Sequence, residues 1–148
     1  MGGQSESVVN NVLIQMARSF LQYVSESSPW VRLEAVSIGE QLNILAARQR
    51  QDVADLAEFL AQREYFIDFG SFPTEYTDLQ FLSLNSLFER LHHSQALICD
   101  LIDRSVAQLR GAGDEQAAGL MAAVDVRQKE ITQGLKELDR ELNSVASA

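Results

Sequence analysis

Three glutamines and one aspartate, Gln49, Gln95, Gln128 and Asp52, are the residues of this chain least at home where the sequence places them. Each glutamine falls in the middle of a helical stripe that is otherwise aliphatic, and Asp52 lies on the edge of the stripe that carries Gln49. Primary amides are neither acids nor nucleophiles. They donate and accept hydrogen bonds, and beside a carboxylate they can close into a network, line a polar pocket or offer oxygens to a cation. A buried amide left unpaired costs about 1–3 kcal/mol, so three at one height must satisfy one another, Asp52 or trapped water, unless they lie at the stripe edge and reach solvent. Each possibility predicts something different. A network fixes helix register, a pocket binds a small molecule, and a cation site would gather Asp52, Asp103 and Asp125 around the amide oxygens.

Other reactive residue types give little. His92 and His93 are adjacent on a helix and point about 100° apart, so one chain cannot close both on one metal; both read as surface or flank residues. Cys99 is the sole cysteine, which excludes an internal disulfide, suits a reducing compartment and reads as a small flanking hydrophobe. Asp52, Asp55 and Glu58 form an acidic patch that reads as a solvated helix face. No Ser/His/Asp or Cys/His arrangement and no glycine-rich phosphate loop is present, so hydrolytic and thiol-redox chemistry have no support.

The elements that must position the glutamines are long helices. Two prolines in 148 residues, with stretches rich in Ala, Leu, Gln, Glu and Arg, favour helix almost throughout, and the composition supports one domain over 1–148. The first helix is expected from about Glu6 to Ser25, with Val9, Leu13, Met16, Phe20 and Val24 inward. Ser28 and Pro29 supply an N-cap and a first helical position for a second helix to about Arg63, although Ser37 with Glu40 could mark a later start. Its stripe runs through Leu42, Leu45, Gln49, Val53, Leu56 and Leu60. The third helix spans 79–110 with Thr77 and Gln80 as caps, and places Leu84, Phe88, Leu91, Gln95, Ile98, Ile102, Val106 and Leu109 on one face. It stops at Gly111–Gly113; Asp114 caps a fourth helix whose stripe includes Leu120, Val124, Gln128, Ile131 and Leu135. Between the second and third helices, residues 65–76 lack a helical period and hold five of the eleven aromatic residues, which predicts an ordered, partly buried connection. Extended, twelve residues reach roughly 40 Å, enough for a crossover. Trp30, Tyr65, Phe66, Phe69 and Phe72 are expected to organise the crossover and one end. Four helices with one apolar face each can bury those faces only against one another, giving an all-α four-helix bundle.

The formal charge is −9 and the pI near 4.6, with the basic residues scattered, so a nucleic-acid backbone would be repelled. No stretch of eighteen apolar residues and no signal-peptide pattern occurs, and Glu6 breaks the myristoylation motif, so the cytoplasm is the expected compartment and no membrane partner is expected.

The order of helix pair, aromatic connection with Pro73 and second helix pair, together with LeuHisHisSerGlnAlaLeuIle at 91–98 and GlyAlaGlyAspGluGlnAlaAlaGlyLeuMet at 111–121, resembles the ferritin-like superfamily, in particular bacterioferritin and the DNA-protecting miniferritins. Such proteins hold two metals with a Glu on the first and third helices and a Glu-x-x-His on the second and fourth. The resemblance places Met16, Gln49-x-x-Asp52, Gln95 and Gln128-x-x-Ile131 at those positions. Asp52 is then the one carboxylate of the six, and no His precedes His92 to build the inter-subunit site of miniferritins. The resemblance thus implies a scaffold that has lost its di-metal centre. It implies a homo-oligomer without a cofactor, acting by interaction rather than by catalysis, and its alternative is an iron-binding or iron-oxidising site made from Asp52, Gln49, Gln95 and Gln128.

Overall fold

The computed structural model describes residues 4–27, 33–73, 76 and 84–147, and all regular structure among them is helical. Five helices follow one another: α1 (Gln4–Ala17), α2 (Phe20–Ser27), α3 (Leu33–Gln62), α4 (Leu84–Gly111) and α5 (Glu115–Ser147). None of the described helices is long and apolar enough to cross a membrane. The expected caps at Ser28, Thr77 and Gln80, the position of Trp30 and the first residues of the predicted third helix lie outside the described residues. Ser37 does not start a helix, because α3 is already helical from Leu33.

Two apolar clusters give the direction of the three long helices. The first gathers Val9 and Leu13 of α1, Leu56 and Leu60 of α3, Ile102 of α4 and Met121 of α5. The second gathers Phe20 and Val24 of α2, Leu42 of α3, Leu91 of α4 and Leu135 of α5. Residue numbers rise from the second cluster to the first along both α3 and α4, so these two helices are parallel. A parallel pair needs a connection that travels back along the bundle. Residues 65–73 begin that return by lying along α1: Asn10 Nδ2 donates to Asp68 O at 2.8 Å, Asp68 N donates to Asn10 Oδ1 at 3.0 Å, and Arg18 Nε donates to Phe69 O at 2.9 Å. Gly70, at φ 66°, is needed there twice over, because a Cβ would stand 2.7 Å from Ile14 Cγ2. Phe72 and Tyr76 then pack edge-on against Tyr23 and Phe20. The described part of the aromatic connection is partly buried, as expected, but Phe66 is 92% exposed and Phe69 nearly half exposed, so those two rings do not organise the interior.

The first predicted helix is two. Arg18 N still reaches Ile14 O at 2.9 Å, but Ser19 N reaches only Met16 O at 3.3 Å, and a new helix starts with Ser19 as its N-cap: Gln22 N donates to Ser19 Oγ at 3.2 Å. Phe20 N is satisfied from outside by Ser94 Oγ at 3.3 Å. The apolar spacing continues across the break, which is why periodicity alone does not reveal it.

The turns after α3 and α4 are alike. Tyr65 N donates to Leu60 O and Glu64 N to Ala61 O; Asp114 N donates to Leu109 O and Gly113 N to Arg110 O. Both are Schellman closures, with the left-handed position filled by Gly113 in one and by Glu64, at φ 58°, in the other. Between them Arg63 grips Asp114 through two nitrogens at 2.6 and 3.0 Å and approaches Glu6 at 3.7 Å, tying the start of α1 to the ends of α3 and α4. This guanidinium, with the Ala117 amide, holds the Asp114 carboxyl well below the usual carboxylate range.

Candidate functional site

Between the two apolar clusters lies a polar layer, and its members come from four helices. Gln49, Gln95 and Gln128 are each at most 1% exposed, as is Asp52, and Ser19 and Gln22 are buried beside them. Gln49 Nε2 donates to Gln128 Oε1 at 3.0 Å and to Gln95 Oε1 at 3.2 Å; Gln95 Nε2 donates to Gln128 Oε1 at 3.0 Å and to the Gln128 carbonyl at 3.1 Å. Gln49 Oε1 in turn accepts from Ser19 Oγ at 2.7 Å and Gln22 Nε2 at 3.0 Å. The three glutamines meet, as their heights on the stripes predicted, and they do so without a gap in hydrogen bonding.

Charge sets which way each amide points. Asp52 Oδ2 accepts from Gln128 Nε2 at 2.7 Å, and Asp52 Oδ1 accepts from the Arg127 guanidinium. A carboxylate only accepts, so Gln128 must turn its NH₂ toward Asp52 and its oxygen inward, where Gln49 and Gln95 must then donate. At the other end Arg50 donates to Gln22 Oε1 at 3.0 Å. Every bond along Arg50, Gln22, Gln49, Gln128 and Asp52 therefore runs in one sense, from a cation to an anion, so each polarises the next favourably. The ends of the chain reach the surface, where Arg50 and Arg127 are exposed and Arg127 also approaches Asp55 at 3.6 Å.

This donor set does not fit a hard divalent cation. Both Asp52 oxygens are engaged, the remaining donors are neutral amides already bonded to one another, and Met16 and Ile131 belong to the apolar clusters on either side. Asp103 and Asp125 do not join Asp52 but share Lys129 at 3.3 and 2.8 Å. Among the described residues no three of His, Cys, Asp and Glu converge as a metal-holding group. His92 is engaged by Asp139 at 3.0 Å and rests against Phe88, while His93 is exposed. Cys99 is half-buried against Thr132 at 3.4 Å, and burial pushes its thiol up from the ordinary value.

A groove of about 1060 Å³ opens between α1 and α4, bordered by the start of α2 and by Tyr76. Among the described residues of its wall Ser19 is the one member of the layer, so the three amides do not line this groove.

Sequence reasoning missed Ser19, Gln22, Arg50 and Arg127. A signal for the first two was present. Ser19-x-x-Gln22 has the spacing of a capping box, and Ser19 sits beside the inward stripe of the first helix. Only half of that box forms, because the Gln22 side chain turns to Gln49 and to Ala46 O at 2.9 Å. No family model, no curated protein and no solved structure matches this chain.

Proposed function

We propose that the chain is a ferritin-like four-helix bundle in which a register-fixing amide layer stands where such proteins hold two metals, and that it works by assembly or interaction rather than by chemistry. The observation that carries this reading is the closure of the layer: Gln49, Gln95 and Gln128 spend their polar groups on one another, Ser19, Gln22 and Asp52. Two features support the ferritin-like assignment. The parallel order of α3 and α4 is the one that a long crossover gives in that architecture, and α1 and α2, which both contact α3 and α4, would together stand for its first helix. The six positions that the resemblance assigns to ligands, Met16, Gln49, Asp52, Gln95, Gln128 and Ile131, are all buried. Association with further copies of the chain, in the cytoplasm and without nucleic acid, is part of the same reading.

The test is the iron, manganese and zinc content of protein purified without chelator and again after anaerobic incubation with Fe²⁺, read together with the native mass. Less than about 0.1 metal per chain in both states, with a mass above that of one chain, is the expected result. One or two irons per chain, oxidised in air and lost in Asp52→Ala, would overturn it in favour of an unusual iron site.

A further inference from the structure

The α1–α4 groove differs in charge from the rest of the molecule. In a chain of net charge −9, the described residues of its wall include Arg18, Arg90, Arg104 and His93 and, among acids, Glu89. Two of the bases lack partners: Arg90 and His93 make no hydrogen bond or ion pair among the described residues, and both are exposed. Arg18 uses only Nε on Phe69 O and lies 5.0 Å over the Phe72 ring, while Arg104 is paired with Asp100 at 3.1 Å. Spacing on α4 arranges these groups. Arg90, His93, Leu97, Leu101 and Arg104 fall on one face of the helix, so the unpaired bases sit at one end of a strip whose middle is apolar. Leu97 is 57% exposed, and Ile14 of α1 faces the same cavity. Leu97 and Leu101 carry the apolar floor about 12 Å past His93, the length of a medium-chain acyl group.

We infer that this groove binds a single-chain amphiphilic carboxylate, with the head between Arg90, His93 and the terminal nitrogens of Arg18 and the chain along Leu97, Leu101 and Ile14. A guanidinium fork matches a carboxylate in shape as well as charge, and a partly enclosed head exchanges water for charge-assisted bonds. The volume of the groove suits a small molecule of this kind. Among the described residues the site meets the amide layer at Ser19, and it does not depend on the loss of metal chemistry there.

Titration calorimetry with dodecanoate, kept monomeric, tests the assignment, with dodecyltrimethylammonium, acetate and inorganic phosphate as comparison ligands. Saturable binding of one dodecanoate per chain is expected, weakened at least about tenfold by Arg90→Glu and by Leu97→Asp and unchanged by Arg48→Glu, an exposed position on α3 outside the groove. The substituted side chains are exposed, so circular dichroism should be the same for all variants. The inference fails if the cationic amphiphile binds equally well, if Arg90→Glu has no effect, or if no saturable binding occurs. It also fails if acetate or phosphate binds as tightly as dodecanoate, which would leave an anion site without a chain. A dimer that Leu97→Asp dissociates in the absence of lipid would assign the groove to a second copy instead.

Discussion

The middle of the bundle and the end where α1, α3 and α4 meet are both held by polar groups, yet they are built from different ones. In the middle, neutral amides carry the network and its one buried charge, Asp52, is compensated by a guanidinium that reaches the surface. At the end, Arg63 and Asp114 are charged and partly exposed, and the nearly buried Glu6 faces Arg63. Water explains the difference. An ion keeps part of its hydration at the rim of the bundle, whereas in the centre it would lose it, and an amide loses far less. The middle should therefore be sensitive to shape and hydrogen-bond matching and indifferent to salt, and the end the reverse.

The largest effect is expected from Gln49→Met, which removes the donor to Gln95 Oε1 and the acceptor of Ser19 Oγ in a fully buried site; unfolding by denaturant should show a loss of about 3–5 kcal/mol. Replacing Gln49, Gln95 and Gln128 together by methionine should cost less than the sum of the three single changes, because the trio no longer strands its own members. Additive costs would mean that the glutamines act independently and that the layer is not a network. Ser19→Ala should cost about 1–2 kcal/mol, since it removes the cap of α2 and one of the two donors to Gln49 Oε1.

At the end of the bundle the effects shrink, and one changes sign. Glu64→Gly should raise stability by about 1 kcal/mol in the same unfolding measurement, because Glu64 occupies a left-handed position that glycine takes without steric cost. Asp114→Asn keeps a cap for α5 but removes the charge facing Arg63, and should cost less than about 1 kcal/mol at neutral pH and still less in high salt. Its pH signature is more telling than its size. The folded-state value of Asp114 is depressed below that of the unfolded chain, so its contribution is present above the ordinary Asp value near about 4 and is lost as pH falls through that value toward the folded one. The acid limb of a stability–pH curve should accordingly be shallower in Asp114→Asn; an unchanged limb would remove the ion pair from the account. The same series in high salt should leave the Gln49→Met loss untouched.

Much of this was legible in the chain itself. The all-helical class, the inward stripes, the convergence of Gln49, Gln95 and Gln128 and the cap at Asp114 follow from helical geometry and local capping chemistry, which act over a few residues and leave a periodic trace. The rest required tertiary structure because it depends on groups distant in sequence. Ser94 makes the break at Ser19 tolerable, Asp52 decides which way three amides face, and Ile14 admits only Gly70 beneath the connection. The apolar stripe of the first helix continues through its break, and the four bases around the groove are scattered from Arg18 to Arg104 until α1 and α4 pack side by side. The sequence by itself determined where apolar and polar faces must lie, since burial is read one residue at a time. Hydrogen-bond direction, helix parallelism and the grouping of charge are properties of pairs, and only the packed chain decides them.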